Sequence, residues 1–98
     1  MTNYEIIASA AITAGIFTRD EVIAFHERGQ SIPLHTFAEW KSRGYIVKRG
    51  ERAAMKCRIW KHRAAQERTE DNGEVVTIPE RWIMVDAYFF KREQVEAV

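Results

Sequence analysis

Apolar residues recur at helical spacing from Asn3 to Ala14, at Tyr4, Ile7, Ala8, Ala11 and Ile12. The run is rich in alanine, and both features predict a helix. Thr2 or Asn3 suits its start and Gly15 its end. A second helix is predicted after Phe17. Thr18 and Glu21 have the spacing of a capping box. Val22, Ile23, Phe25 and His26 follow as an apolar side, and Gly29 closes the helix. Gln30 to Leu34 reads as a connection, because Pro33 disfavours helix just before it. Thr36 and Glu39 repeat the capping pattern. They introduce a short helix carrying Phe37, Trp40 and Lys41 that ends at Gly44. Phe37 and Trp40, three apart, are expected to pack into the core.

The period then shortens from helical spacing to two. Tyr45 to Val47 are strand formers, and Lys48-Arg49-Gly50-Glu51 is a turn with glycine where positive φ is easiest. Ala53 to Lys61 alternates, with Met55, Cys57 and Ile59 on one side and Lys56, Arg58 and Trp60 on the other. Arg81 to Phe90 is the second long strand. Its two sets are Ile83, Val85, Ala87 and Phe89, and Trp82, Met84, Asp86 and Tyr88. Ala64 to Glu74 is polar and reads as a long, partly mobile hairpin loop turning at Asp71-Asn72-Gly73. Val75 to Ile78 extends a strand up to Pro79, and Lys91 to Val98 ends the chain with a short helical turn. The fold class expected is α+β, with N-terminal helices packed on a small antiparallel sheet that carries a long hairpin loop. At 98 residues this is one domain, with a helical part over 1–34 and a helix plus sheet over 35–98.

Charge changes the picture. From Lys41 to Arg63 there are nine Lys or Arg against the single acid Glu51, a net +8 in a chain whose total is +1. The remainder is therefore −7. A positive surface concentrated in a quarter of the length suits a polyanion. Helix-turn-helix reading of duplex DNA is disfavoured, because the second helix holds Asp20, Glu21 and Glu27 against two arginines. No run reaches the ~20 apolar residues of a membrane span. The N-terminus lacks the basic region of a signal peptide and carries Glu5. With Cys57 the only cysteine, no internal disulfide is possible, and a cytoplasmic location in a host cell is the expectation.

The sequence argues against catalysis. His26, His35 and His62 are not spaced with other ligands as a metal site requires. Cys57 lies mid-strand between Met55 and Ile59 and reads as a small buried hydrophobe. Gly44 and Gly50 punctuate turns and do not form a phosphate loop. Glu70 and Asp71 sit at a loop tip, where the expected role is solvation. No cofactor or metal is expected.

Binding chemistry is better supplied. If the two long strands pair antiparallel, Trp82 and Tyr88 join Lys56, Arg58 and Trp60. Cations with flat rings are what a single-stranded nucleic acid needs, since phosphates are neutralised and unpaired bases stack. Alternation alone leaves a second arrangement open, in which helices cover this side and the cations snorkel from its rim. Asp86, on the same side, would repel phosphate unless paired with Lys56 or Arg58.

The run from Trp40 to Lys61, followed after a variable insert by Trp82 to Glu96, resembles the N-terminal single-stranded-DNA-binding domain of ArdC-type antirestriction proteins. It is similar to short stand-alone versions found on phages and mobile genetic elements. The matching positions are Trp40, Gly44, Val47, Lys48, Arg49, Gly50, Glu51, Phe89, Phe90 and Gln94. The resemblance covers about the C-terminal two-thirds. It implies non-enzymatic single-strand binding, DNA before RNA, in evasion of host defence. Full-length members add a zinc-metallopeptidase-like domain to which nothing in these 98 residues corresponds, so no activity of that part carries over. The candidate nucleic-acid-binding residues are Lys41, Arg43, Lys48, Arg49, Arg52, Lys56, Arg58, Trp60, Lys61 and Tyr88. Two other functions compete. One is an inhibitor that binds a host nuclease or CRISPR effector by protein contact, suggested by the separated charges. The other is a homodimeric module whose aromatic side is the subunit interface.

Overall fold

Each helix begins where the sequence places a threonine. The computed structural model describes residues 1–98. Helix α1 spans Asn3–Thr13 and α2 spans Arg19–Glu27. Both start with a reciprocal capping box, Thr2 with Glu5 and Thr18 with Glu21. Helix α3, Phe37–Ser42, has half of one. Thr36 Oγ1 accepts from the Glu39 amide at 3.3 Å, while the Glu39 carboxylate turns away to Arg43 at 3.0 Å. Gly15, Gly29 and Gly44 end these helices in the left-handed region, where a side chain would strain the backbone.

Seven strands follow the helices or fall between them: β1 (Leu34–His35), β2 (Tyr45–Val47), β3 (Met55–Arg63), β4 (Gln66–Thr69), β5 (Val75–Ile78), β6 (Arg81–Lys91) and β7 (Val95–Ala97). The main sheet has the order β1-β6-β3 and is antiparallel throughout. Its register sets Lys56 opposite Tyr88, Arg58 opposite Asp86, Trp60 opposite Met84 and His62 opposite Trp82. The chain is α+β, as its pattern predicts.

One face of this sheet makes the core. Met55, Ala87 and Phe89 are buried with Leu34, against Ala11 of α1, Val22 of α2 and Ile32. Cys57 and Ile59 pack at the edge of the same cluster, with Ile7 and Ala8 of α1. The alternation in the sequence is thus an alternation between helix and water.

Four expectations are corrected. The polar stretch read as a hairpin loop is ordered strand. β4 pairs with β5 from Gln66 opposite Ile78 to Thr69 opposite Val75, and only residues 70–74 turn. Solvent lies on both faces of this ribbon, so its side chains carry no apolar alternation and only backbone pairing defines it. The connection before α3 holds a short strand, β1, which pairs Leu34 with Lys91 and His35 with Phe90. The C-terminal helical turn is confined to Arg92–Gln94, after which β7 pairs with β2. Two and three residues are too short a window for a period to be read. Phe37 is no core residue: it lies on the solvent side of α3, while Trp40 is buried and donates from Nε1 to the Phe90 carbonyl at 2.9 Å.

The ribbon gives the molecule its shape. The radius of gyration is 17.4 Å, against about 13 Å for a compact domain of this length. The 55 Å long axis matches the extended run from Val75 to Lys91, which at ~3.3 Å per residue spans roughly 56 Å. β4 and β5 therefore project as an arm beyond the helices. Residues 66–80 carry five acids and one arginine, so the arm is acidic.

Candidate nucleic-acid interface

The face of β3 and β6 turned away from α1 and α2 is open. Along it the register makes four rows: Lys56 with Tyr88, Arg58 with Asp86, Trp60 with Met84, and His62 with Trp82. Trp60 is 41% exposed, Tyr88 52% and Trp82 63%. The Lys56 ammonium lies 5.6 Å from the centre of the Tyr88 ring, within cation–π range. Asp86 sits between the two cations, 3.8 Å from Lys56 Nζ and 3.9 Å from Arg58 Nε. Its charge is thereby offset and the face keeps a net positive balance. The His62 and Trp82 rings are 5.2 Å apart, and His62 Nε2 meets the Glu80 carboxylate at 2.7 Å.

The outer edge of β3 is held at Trp60. The Asn3 side-chain amide donates to the Trp60 carbonyl at 2.9 Å and accepts from its amide at 2.8 Å. A strand partner would make the same two bonds. The backbone carrying this indole is therefore fixed from both sides, while its ring faces solvent.

Helix α3 borders the other end of the open face. Between them is a groove of about 580 Å³, lined by Phe37, Trp60, Asp86, Tyr88 and Phe90 among others. Phe37 was not among the expected site residues. Its helical spacing with Trp40 pointed to the core, but the two residues sit on different sides of a helix of six residues. Trp82 joins this face as expected from antiparallel pairing of the two long strands, and its exposed ring extends the aromatic track towards the arm.

The remaining candidates divide by place. Lys48, Arg49 and Arg52 are exposed on the loop between β2 and β3, next to the start of β3. Lys41 and Arg43 are exposed on and just after α3, with Arg43 drawn into its pair with Glu39. Lys61 alternates to the side of Cys57 and Ile59, though it borders the groove from the edge strand. Thus Lys56, Arg58, Trp60 and Tyr88 share one surface, and the other six cations lie outside its rows.

Residues carrying the family resemblance turn out to hold the backbone. Gln94 is buried; its amide donates to Glu51 Oε2 at 3.1 Å and to the Arg52 carbonyl, and its side-chain oxygen accepts from the Lys91 amide at 2.8 Å. The Lys48 amide donates to the Gln94 carbonyl at 2.8 Å. One glutamine thus clamps the basic loop to the end of β6. Gly50, at φ +87°, lets that loop turn. Trp40 ties α3 to β6 through Phe90. Cys57 is half-buried, and burial pushes its thiol up, away from the reactive thiolate.

No family model, curated protein or solved structure matches the chain. No helix is long and apolar enough to cross a membrane.

Proposed function

We propose that this protein binds single-stranded nucleic acid, DNA before RNA, without catalysing a reaction on it. The observation that carries the reading is the open face of β3 and β6. Lys56 and Arg58 supply charge there, and Tyr88, Trp60 and Trp82 supply flat rings in three of the four rows. Phosphates take the cations, while unpaired bases stack on the rings. A duplex hides its base faces and cannot use the rings. Lys48, Arg49 and Arg52 extend the positive surface beyond the start of β3. The resemblance to ArdC-type single-strand-binding domains supports the same reading. It adds the role we assign: protection of a phage or mobile element from host defence inside the host cell.

Titration of intrinsic tryptophan fluorescence with short single-stranded oligonucleotides tests the reading. Trp60 and Trp82 report binding, and buried Trp40 provides a constant background. The expected result is micromolar or weaker affinity that falls steeply with added salt. Absence of any signal or binding at low salt would overturn it.

The acidic arm favours a second reading, an inhibitor that docks on a host nuclease or CRISPR effector by protein contact. Pull-down from host lysate after nuclease treatment separates the two. Partners that persist support protein contact, and partners that vanish support nucleic acid.

A further inference from the structure

An acid in the middle of a surface for polyanions calls for an explanation. Asp86 is half-exposed, and its distances to the two cations, 3.8 and 3.9 Å, are too long for hydrogen bonds. Both carboxylate oxygens therefore keep their acceptor capacity. The side chain also lines the groove bounded by Phe37, Trp60 and Tyr88. On the sheet, Tyr88 is its same-face neighbour two residues on, and Trp60 is its diagonal neighbour across the pair. A base stacked on either ring brings its edge to the carboxylate.

We infer that Asp86 reads the base in this groove, and that the base it selects is an unpaired guanine. This rests on the single-strand reading above. An unpaired base exposes its Watson–Crick edge, the side that a duplex conceals. Guanine presents two adjacent donors there, N1–H and the 2-amino group, which match the two oxygens of one carboxylate. Cytosine and adenine present one amino donor beside a ring acceptor. Thymine and uracil present one N–H between two carbonyl oxygens, which repel a carboxylate. Charged acceptors make the stronger hydrogen bonds, so the two-donor edge gains most. Lys56 and Arg58 flank Asp86, and they meet the phosphates on either side of the selected base. The face thus combines sequence-tolerant stacking with one position of choice.

The test compares a short oligothymidylate with the same strand carrying one central guanine, each titrated against the full chain by tryptophan fluorescence. The guanine strand is expected to bind at least about fivefold tighter. Asp86→Asn replaces one acceptor by a donor and removes a charge. It is expected to bring the two strands within about twofold of each other while raising affinity for the all-thymine strand. Far-UV circular dichroism of the variant, changed at a half-exposed position, checks that the fold is kept. Equal binding of both strands by the parent protein, or an unchanged preference in Asp86→Asn, would overturn the assignment of Asp86 and leave the interface standing. Failure of every strand to bind would remove both.

Discussion

On one side of the β3–β6 hairpin, Met55, Ala87 and Phe89 are buried against α1 and α2; on the other, Lys56, Trp60 and Tyr88 meet water. The backbone is shared, and successive residues alternate between the two environments. What differs is the cover. The buried side carries uncharged apolar residues that pack directly against the helices. The open side carries long cations and large rings, which would hold a helix at a distance and leave charges without water. Stability and recognition are thereby separated by a single residue step along the strand. A change at one position should touch one property and spare the other.

The largest test of that separation compares neighbours. Phe89→Ala empties a site that is 2% exposed and is expected to cost about 3–5 kcal/mol of folding stability. Tyr88→Ala, one residue away on the open side, is expected to cost under about 1 kcal/mol, mainly its attraction to Lys56. Urea denaturation measures both. Similar costs would mean that the open side is packed against something after all.

The reverse comparison uses binding. Trp60→Ala is expected to weaken single-strand affinity by about 1–3 kcal/mol, the usual value of one stacked base. Folding stability should change far less, because Asn3 bonds to the Trp60 backbone and not to its ring. Replacing Lys56 and Arg58 together by alanine should flatten the salt dependence by about 0.7 in slope for each phosphate that no longer meets a cation. A salt slope unchanged from the parent would place the phosphates elsewhere, on the loop of Lys48, Arg49 and Arg52.

These contrasts were largely legible in the sequence, because period two over nine residues sorts side chains without reference to anything distant. Lys56, Arg58 and Trp60 stand against Met55, Cys57 and Ile59 in the bare string. The pairing with β6, and so the place of Tyr88 and Asp86, followed from the second alternating run. Whether the polar side was open could not be read, since that depends on where α1 and α2 dock. Half of the arm was legible, since Val75 to Ile78 was expected as a strand and is β5, but the other half was not, for a related reason. With water on both faces, Gln66 to Thr69 has no apolar rhythm to betray a strand. β1 and β7 exist only through their partners, β6 and β2. Phe37 misled because three-residue spacing marks one face of a long helix, whereas a six-residue helix is positioned by its single buried anchor, Trp40.

Gln94 offers a finer comparison, between the clamp that shapes the basic loop and the charges displayed on it. Gln94→Ala removes the bonds to Glu51, Arg52 and Lys91. Leaving those partners unsatisfied is expected to cost about 1–3 kcal/mol of stability. If Lys48 and Arg49 meet phosphate, oligonucleotide affinity should fall as well, although no cation has been removed. Equal affinity at a temperature where the variant stays folded would confine recognition to the open face.

The smallest effect is one of pH, at the junction of α3 with β1. Burial, aided by the positive charge of Arg43 and opposed by Glu39, holds His35 below the ordinary histidine value. Its ring packs edge-on against Trp40, with centroids 4.7 Å apart. The native chain therefore binds this proton less readily than the unfolded chain does. The sign follows: the stabilisation is complete above the unfolded value of about 6.5 and is lost as pH falls from there through the lowered native value. Denaturation midpoints measured from about pH 7.5 down to 5 should decline in the parent, and the decline should be shallower in His35→Gln. Glu5, held below the usual carboxylate range by the Thr2 backbone amide and then its hydroxyl, titrates in a lower window and leaves this interval unaffected.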